Sequence, residues 1–159
     1  MKLQAFIASH AIIPELTSST RDDVIRELIE AVLQDESIAD PALAQDLIDS
    51  IIEREKHGST GFGKGVAVPH VKHEKINKMA AAIGVSQQGV DFNALDKQPV
   101  YSIVLLLSPK DHPDEHLQAM ESIFSQLQND QFRKFLRQSS TRQEIEELIE
   151  EADAQQLPG

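Results

Sequence analysis

Apolar residues recur along this chain with two different periods, and the changes of period mark out its elements. Val24, Ile25, Leu28, Ile29, Val32 and Leu33 share one face of a helix, with Thr20 and Asp23 forming a capping box in front of them. Leu43, Leu47, Ile48, Ile51 and Ile52 define a second helix, with Asp40 as its cap, Pro41 in its first turn and Gly58 at its end. Residues 66–68, 79–86 and 100–107 read as strands, and the last is apolar on both faces, as a central strand is. Gly89 and residues 93–98 predict turns around a short extended piece at 90–92. Asp111-His112-Pro113 signals a helix start, and Leu117, Met120, Ile123, Phe124 and Leu127 supply that helix with an apolar stripe. Phe132, Phe135 and Leu136 predict a further short helix. Thr141 with Glu144 caps a last one bearing Ile145, Leu148 and Ile149. At the front, Leu3, Phe6 and Ile7 predict an opening helical turn, and residues 11–16 a strand interrupted at Pro14. Strands mixed with helices at the front, middle and back point to an α/β sandwich.

The 159 residues suit a single domain with a real core, and residues 153–159, which lack apolar periodicity, are expected to form a flexible C-terminal tail. The absence of cysteine excludes disulfides, thiol catalysis and zinc–thiolate sites. Residues 1–7 show no signal core, and the longest apolar run, 103–107, is only of strand length. A cytoplasmic chain with no membrane insertion is therefore expected. The net charge of −11 opposes nucleic acid as a partner. The sign reverses locally: between residues 54 and 78, Arg54, Lys56, Lys64, Lys72, Lys75 and Lys78 face only Glu55 and Glu74. Such a patch is either a solvated lysine-rich surface or a site for an anion.

Inside that patch runs Gly58-Ser59-Thr60-Gly61-Phe62-Gly63-Lys64-Gly65-Val66-Ala67-Val68-Pro69-His70. Four glycines in eight positions predict a flexible loop that feeds a short strand ending on Pro69. Proline lacks an N–H and has a fixed φ, so pairing stops there and His70 leaves in a set direction. A histidine beside free backbone N–H groups suits a nucleophile that handles phosphate. The plainer alternative is a glycine loop before a buried strand, with His70 merely the next residue. Among the other histidines, His10 reads as incidental in a polar loop and His57 as a cation at a helix C-terminus. The spacings of His70 with His73 and of His112 with His116 superficially suggest metal ligands. Zinc needs three or four converging ligands, and Pro113 sets His112 at a helix boundary, so neither metal nor cofactor is expected.

The stretch from Arg54-Glu55-Lys56-His57 through Pro69-His70 resembles the signature of the fructose/mannitol-type (type 2) enzyme IIA domain of the phosphoenolpyruvate sugar phosphotransferase system. Nitrogen-regulatory enzyme IIA proteins belong to the same family. The resemblance covers roughly residues 3–150, including the front helix pair, the strand at 100–107 and the helix entered through Asp114-Glu115-His116-Leu117. It implies a mixed sheet flanked by helices, with residues 1–152 forming the phosphocarrier domain.

The resemblance further implies that His70 accepts the phosphoryl group on Nε2 from phospho-HPr, the histidine phosphocarrier. The group then passes to an enzyme IIB or serves as a regulatory signal; a regulatory interaction module of the same fold is the alternative. His116 matches the second active-site histidine, expected at the site surface. Arg54 matches an arginine able to neutralise phosphate charge, and Ser59 and Thr60 match a hydroxyl pair opening the loop. Two residues depart from the pattern. Val71 stands where a small residue is usual after the active histidine, and Lys64 where asparagine is frequent. Val71 is expected to add bulk where a partner approaches.

Overall fold

The computed structural model describes residues 1–155. Within them the chain forms β1 (Ile7–Ile13), α1 (Arg21–Val32), α2 (Ala44–His57), β2 (Gly61–Gly63), β3 (Val66–Ala67), β4 (His70–His73), β5 (Ala80–Val90), β6 (Val100–Pro109), α3 (Pro113–Leu127), α4 (Asp130–Gln138) and α5 (Arg142–Asp153). Side-chain oxygens stop the helix ends where the sequence signals them. Thr20 accepts from the Asp23 N–H and Thr141 from the Glu144 N–H, both at 3.2 Å, while Asp40 accepts from the Ala42 N–H at 2.9 Å. Asp40 so caps a 3₁₀ turn, Pro41–Leu43, that leads into α2, whose own first residue Ala44 has no side-chain cap.

The strands make one mixed sheet in the order β1-β5-β6-β3-β2, with β4 also paired to β6. β1 runs parallel to β5, β5 antiparallel to β6, and β3 and β4 both parallel to β6. β6 shows why its sequence is apolar throughout. Ile103, Leu105 and Leu107 enter a core shared with α1 and α2 (Ile25, Leu28, Leu47, Ile51). Val104 and Leu106 enter a second core with Ile123, Leu127, Phe132 and Ile145 from α3, α4 and α5. This alternation is the two-residue period of a strand covered on both faces. The fold is thus an α/β mixed sheet flanked by helices.

Several boundaries differ from the sequence expectation. The opening helical turn is a single 3₁₀ turn, Leu3–Ala5, and Ile7 already begins β1, which pairs with Ala81 and ends before Pro14. β5 does not turn at Gly89 but continues to Val90, which pairs with Val100. A bulge absorbs the register shift, with Gly89 at φ 87° and its N–H bonded to Ser86 Oγ at 3.0 Å. Leu117 is 60% exposed because the buried stripe of α3 runs through His116, Ala119, Ile123 and Leu127 instead. Asp153 ends α5 rather than opening a tail, and its carboxylate accepts from the N–H groups of Leu3 and Gln4 at 2.7 and 2.9 Å. The rest of the expected tail, from residue 156, lies outside the described residues.

The glycine-rich segment is a hairpin, not a flexible loop. β2 pairs antiparallel with β3, and Gly63 and Val66 flank a two-residue turn of Lys64 (φ 61°) and Gly65 (φ 75°). Positive φ at both central residues matches the right-handed twist of the flanking strands. Nor does the ladder stop for good at Pro69. It breaks there, since proline has no N–H to give, and resumes as β4 along the same edge of β6.

Candidate functional site

His70 opens β4, half-buried, opposite Leu106. Its Nδ1 lies 2.8 Å from the carbonyl of Val68. A carbonyl can only accept, so Nδ1 carries a proton, and in the neutral ring the lone pair is therefore on Nε2. Register partners in a sheet share a face, so His70 projects with Leu106 towards the α3 side, while Val71 projects with Leu107 towards α1 and α2.

That face also receives His116, from the first turn of α3. The two imidazole rings are 5.6 Å apart between centroids and inclined at 48°. His116 is not at the surface, as the sequence led us to expect, but only 5% exposed. Pro113 starts α3 directly after β6, so the first turn folds back onto the strand end. There His116 Nδ1 and Ser108 Oγ are hydrogen-bonded at 2.7 Å. Burial, followed by the positive charge that His70 and Lys72 can carry, holds the His116 pKa down at about 4. The ring is neutral near pH 7 and can donate from one nitrogen while accepting at the other.

Arg54 and the loop hydroxyls are engaged within the protein. Arg54 Nη1 donates to the Gly58 carbonyl at 2.6 Å, closing the end of α2. Ser59 donates its hydroxyl proton to the Phe92 carbonyl at 2.8 Å and accepts from the Gly61 N–H at 2.9 Å. Thr60 gives both its hydroxyl and its N–H to the Glu55 carboxylate, the N–H at 3.0 Å. Glu55 is 3% exposed, so this pairing anchors the hairpin to α2. The structure brings His70 and His116 together, and it uses Arg54, Ser59 and Thr60 to hold the segment that leads to His70.

Three residues have site roles that the sequence reading did not assign. Lys72 follows His70 by two positions and so shares its face, level with Ser108. Its charge acts on His116. The period-two spacing from His70 was the available signal, obscured because residues 70–73 did not read as a strand. Ser108 carries no local mark, and Glu55 lies within the signature stretch without a role there; their buried hydrogen bonds identify both.

The expectation that Val71 adds bulk at the approach to His70 is corrected: it packs against the α1/α2 core on the opposite face. The remaining histidines have local roles. His10 lies on β1 rather than in a loop, its Nε2 3.4 Å from the Val32 carbonyl. His57 Nδ1 is 2.8 Å from the Glu53 carbonyl in the last turn of α2, and His73 Nδ1 accepts from the Lys75 N–H at 3.0 Å. Among the described residues no three His, Asp or Glu side chains converge as metal ligands, and no helix is long and apolar enough to cross a membrane.

Comparison with known proteins agrees with this geometry. The sequence profile of the family described as "Phosphoenolpyruvate-dependent sugar phosphotransferase system, EIIA 2" matches residues 5–152. The PTS system fructose-specific EIIABC component of Bacillus subtilis (strain 168) is 28% identical over 153 residues, which is 96% of this chain but only 24% of that protein. A nitrogen regulatory protein of Bradyrhizobium diazoefficiens is 30% identical over 149 residues, 94% of this chain and 95% of that one. The fold is similar to the crystal structure of nitrogen regulatory protein IIA-Ntr from Neisseria meningitidis, with a TM-score of 0.81 and 26% identity over 91% of this chain and 97% of that one.

Proposed function

Since the chain belongs to the EIIA 2 family of the phosphoenolpyruvate-dependent sugar phosphotransferase system, we propose that residues 1–152 form a cytoplasmic phosphocarrier whose nucleophile is His70 Nε2. The observation that carries this reading is the Nδ1–H of His70 donating to Val68, with the neutral His116 ring 5.6 Å away. That bond frees the Nε2 lone pair for in-line attack on the phosphorus of phospho-HPr. An N–P bond forms at His70 Nε2 as the donor's N–P bond breaks, and the bonding pair returns to the donor ring. The phosphorylated ring then holds a proton on Nδ1 and phosphorus on Nε2, and the Val68 carbonyl offsets its positive charge.

We assign the His116 proton to Nε2, as a donor to a phosphoryl oxygen, with the Ser108 hydroxyl donating to Nδ1 in that tautomer. Lys72, on the same face, supplies positive charge to the equatorial oxygens. Arg54 adds a further guanidinium, anchored on Gly58. Ser59 and Thr60 contribute by shaping the hairpin rather than by their hydroxyl protons.

Incubation with phosphoenolpyruvate, enzyme I and HPr is expected to give acid-labile phosphate on the wild type. Undiminished labelling of His70→Ala overturns the assignment. Relatives of both kinds, a fructose transporter component and a nitrogen regulator, support two destinations for the group: an enzyme IIB cysteine or a regulatory target. Transfer to an added enzyme IIB supports the first. Partner capture that changes between wild type and His70→Asp, without such transfer, supports the second.

A further inference from the structure

A cleft of about 810 Å³ opens between α4 and the β2–β3 turn, at the other end of β6 from His70. Ser102 lines it, four residues before the His70 partner Leu106, which is about 13 Å at the rise of a strand. The cleft is therefore a separate feature of the same sheet face.

Its lining is basic although the chain is acidic. Lys64, Arg133, Lys134 and Arg137 line it against only Glu15 and Asp130. Arg133 is already held by Asp130 and by the Leu127 carbonyl at 2.7 Å. Lys64, Lys134 and Arg137 have no ion pair among the described residues, although the chain carries a net charge of −11. The Arg137 guanidinium lies 3.5 Å over the Tyr101 ring. Stacking of that kind fixes the plane of the fork while leaving its N–H edges free for an anion. Lys64 sits in the left-handed turn of the β2–β3 hairpin at the edge of the cleft.

Polar groups without a partner accompany the cations. Ser102 is 3% exposed and its N–H bonds to the Gly65 carbonyl at 3.1 Å. Its hydroxyl has no hydrogen bond with the described residues and is left to the cleft. Open to solvent at the cleft wall, that hydroxyl is free to donate to or accept from a ligand. The amides of Gln87 and Gln138 line the remaining wall. The volume is that of a metabolite site and exceeds what a lone phosphate ion fills.

We propose that this cleft binds a hydroxylated organic phosphate of sugar-phosphate size. Arg137, Lys134 and Lys64 hold the phosphate, and Ser102, Gln87 and Gln138 hydrogen-bond the ligand hydroxyls. Binding involves no covalent step and does not depend on His70.

The test is an NMR titration of the ¹⁵N-labelled protein with glucose 6-phosphate, run beside glucose, inorganic phosphate and succinate. Glucose 6-phosphate is expected to saturate, with shifts centred on the amides of Gly65, Ser102 and Arg137. Glucose and inorganic phosphate should bind roughly tenfold more weakly or less. Lys134→Gln, at an exposed position, and Ser102→Ala should each weaken binding about tenfold with an unchanged melting temperature, while His70→Ala leaves it intact. The proposal is overturned if glucose 6-phosphate fails to saturate or succinate binds as tightly. It is equally overturned if the shifts centre on His70 or if both cleft variants bind like the wild type.

Discussion

Ser108 and His116 are joined by a buried 2.7 Å hydrogen bond that ties the end of β6 to the first turn of α3. The bond holds the His116 ring in place beside its neighbour His70. A hydroxyl can donate or accept, so the bond fixes the orientation of the ring, and the proposed Nε2–H form of His116 is the one in which Ser108 donates to Nδ1.

Ser108→Ala removes that constraint at little cost in volume. We expect a stability loss of about 1 kcal/mol and a fall of roughly tenfold in the rate of His70 phosphorylation. The ¹⁵N shifts of the His116 ring should show a mixture of tautomers. A single tautomer, identical to that of the wild type, would refute the positioning role.

The depressed pKa of His116 gives stability a defined pH dependence. Its folded value is about 4 against an ordinary 6.5, so the unfolded chain binds this proton first. Stability contributed by the neutral ring is present above 6.5, declines as pH falls through that value, and is gone below about 4. Urea unfolding at a series of pH values from 7 to 4 should show a steeper loss for the wild type than for His116→Gln. Phosphorylation of His70 places a dianionic group nearby and should raise the His116 pKa, read from its ring-proton titration.

Lys64 sits at φ 61° in the hairpin turn, a conformation that costs an ordinary side chain. Lys64→Asn and Lys64→Gly should each raise stability by ~0.5–1 kcal/mol in urea unfolding. Asparagine, the residue the family resemblance leads one to expect here, suits this turn for a backbone reason, since it tolerates the left-handed region.

Val71 packs against the α1/α2 core from within β4. Val71→Gly should cost about 2 kcal/mol through lost burial and added chain freedom. Phosphorylation of the folded protein at saturating HPr should change less than twofold from wild type. A large change in transfer rate with unaltered stability would return Val71 to the partner surface.

The helices were legible because their evidence is local. Thr20 with Asp23, Asp40 with Pro41, and Thr141 with Glu144 act over a few residues, and the apolar stripes of α1, α2 and α5 recur within a turn. β6 was legible because burial on both faces demands an unbroken apolar run. β4 was not, since His70-Val71-Lys72-His73 has too few apolar positions to signal a strand. Its ladder comes entirely from β6. The exposure of Leu117 was hidden for a related reason: a helical stripe can be drawn through more than one set of apolar residues, and only packing selects the buried one.

The sequence by itself determined the helix ends, the central strand and the delivery of His70 behind Pro69, because each depends on chemistry within one short segment. Only the tertiary structure decided that His116 is buried, that Ser108 holds its ring and that Lys72 shares the His70 face. It also decided that the glycine segment is a hairpin anchored on Glu55. Those relations depend on the parallel register of β4 with β6 and on α3 folding back over the strand end. Register is a property of two strands meeting, and neither strand encodes it alone.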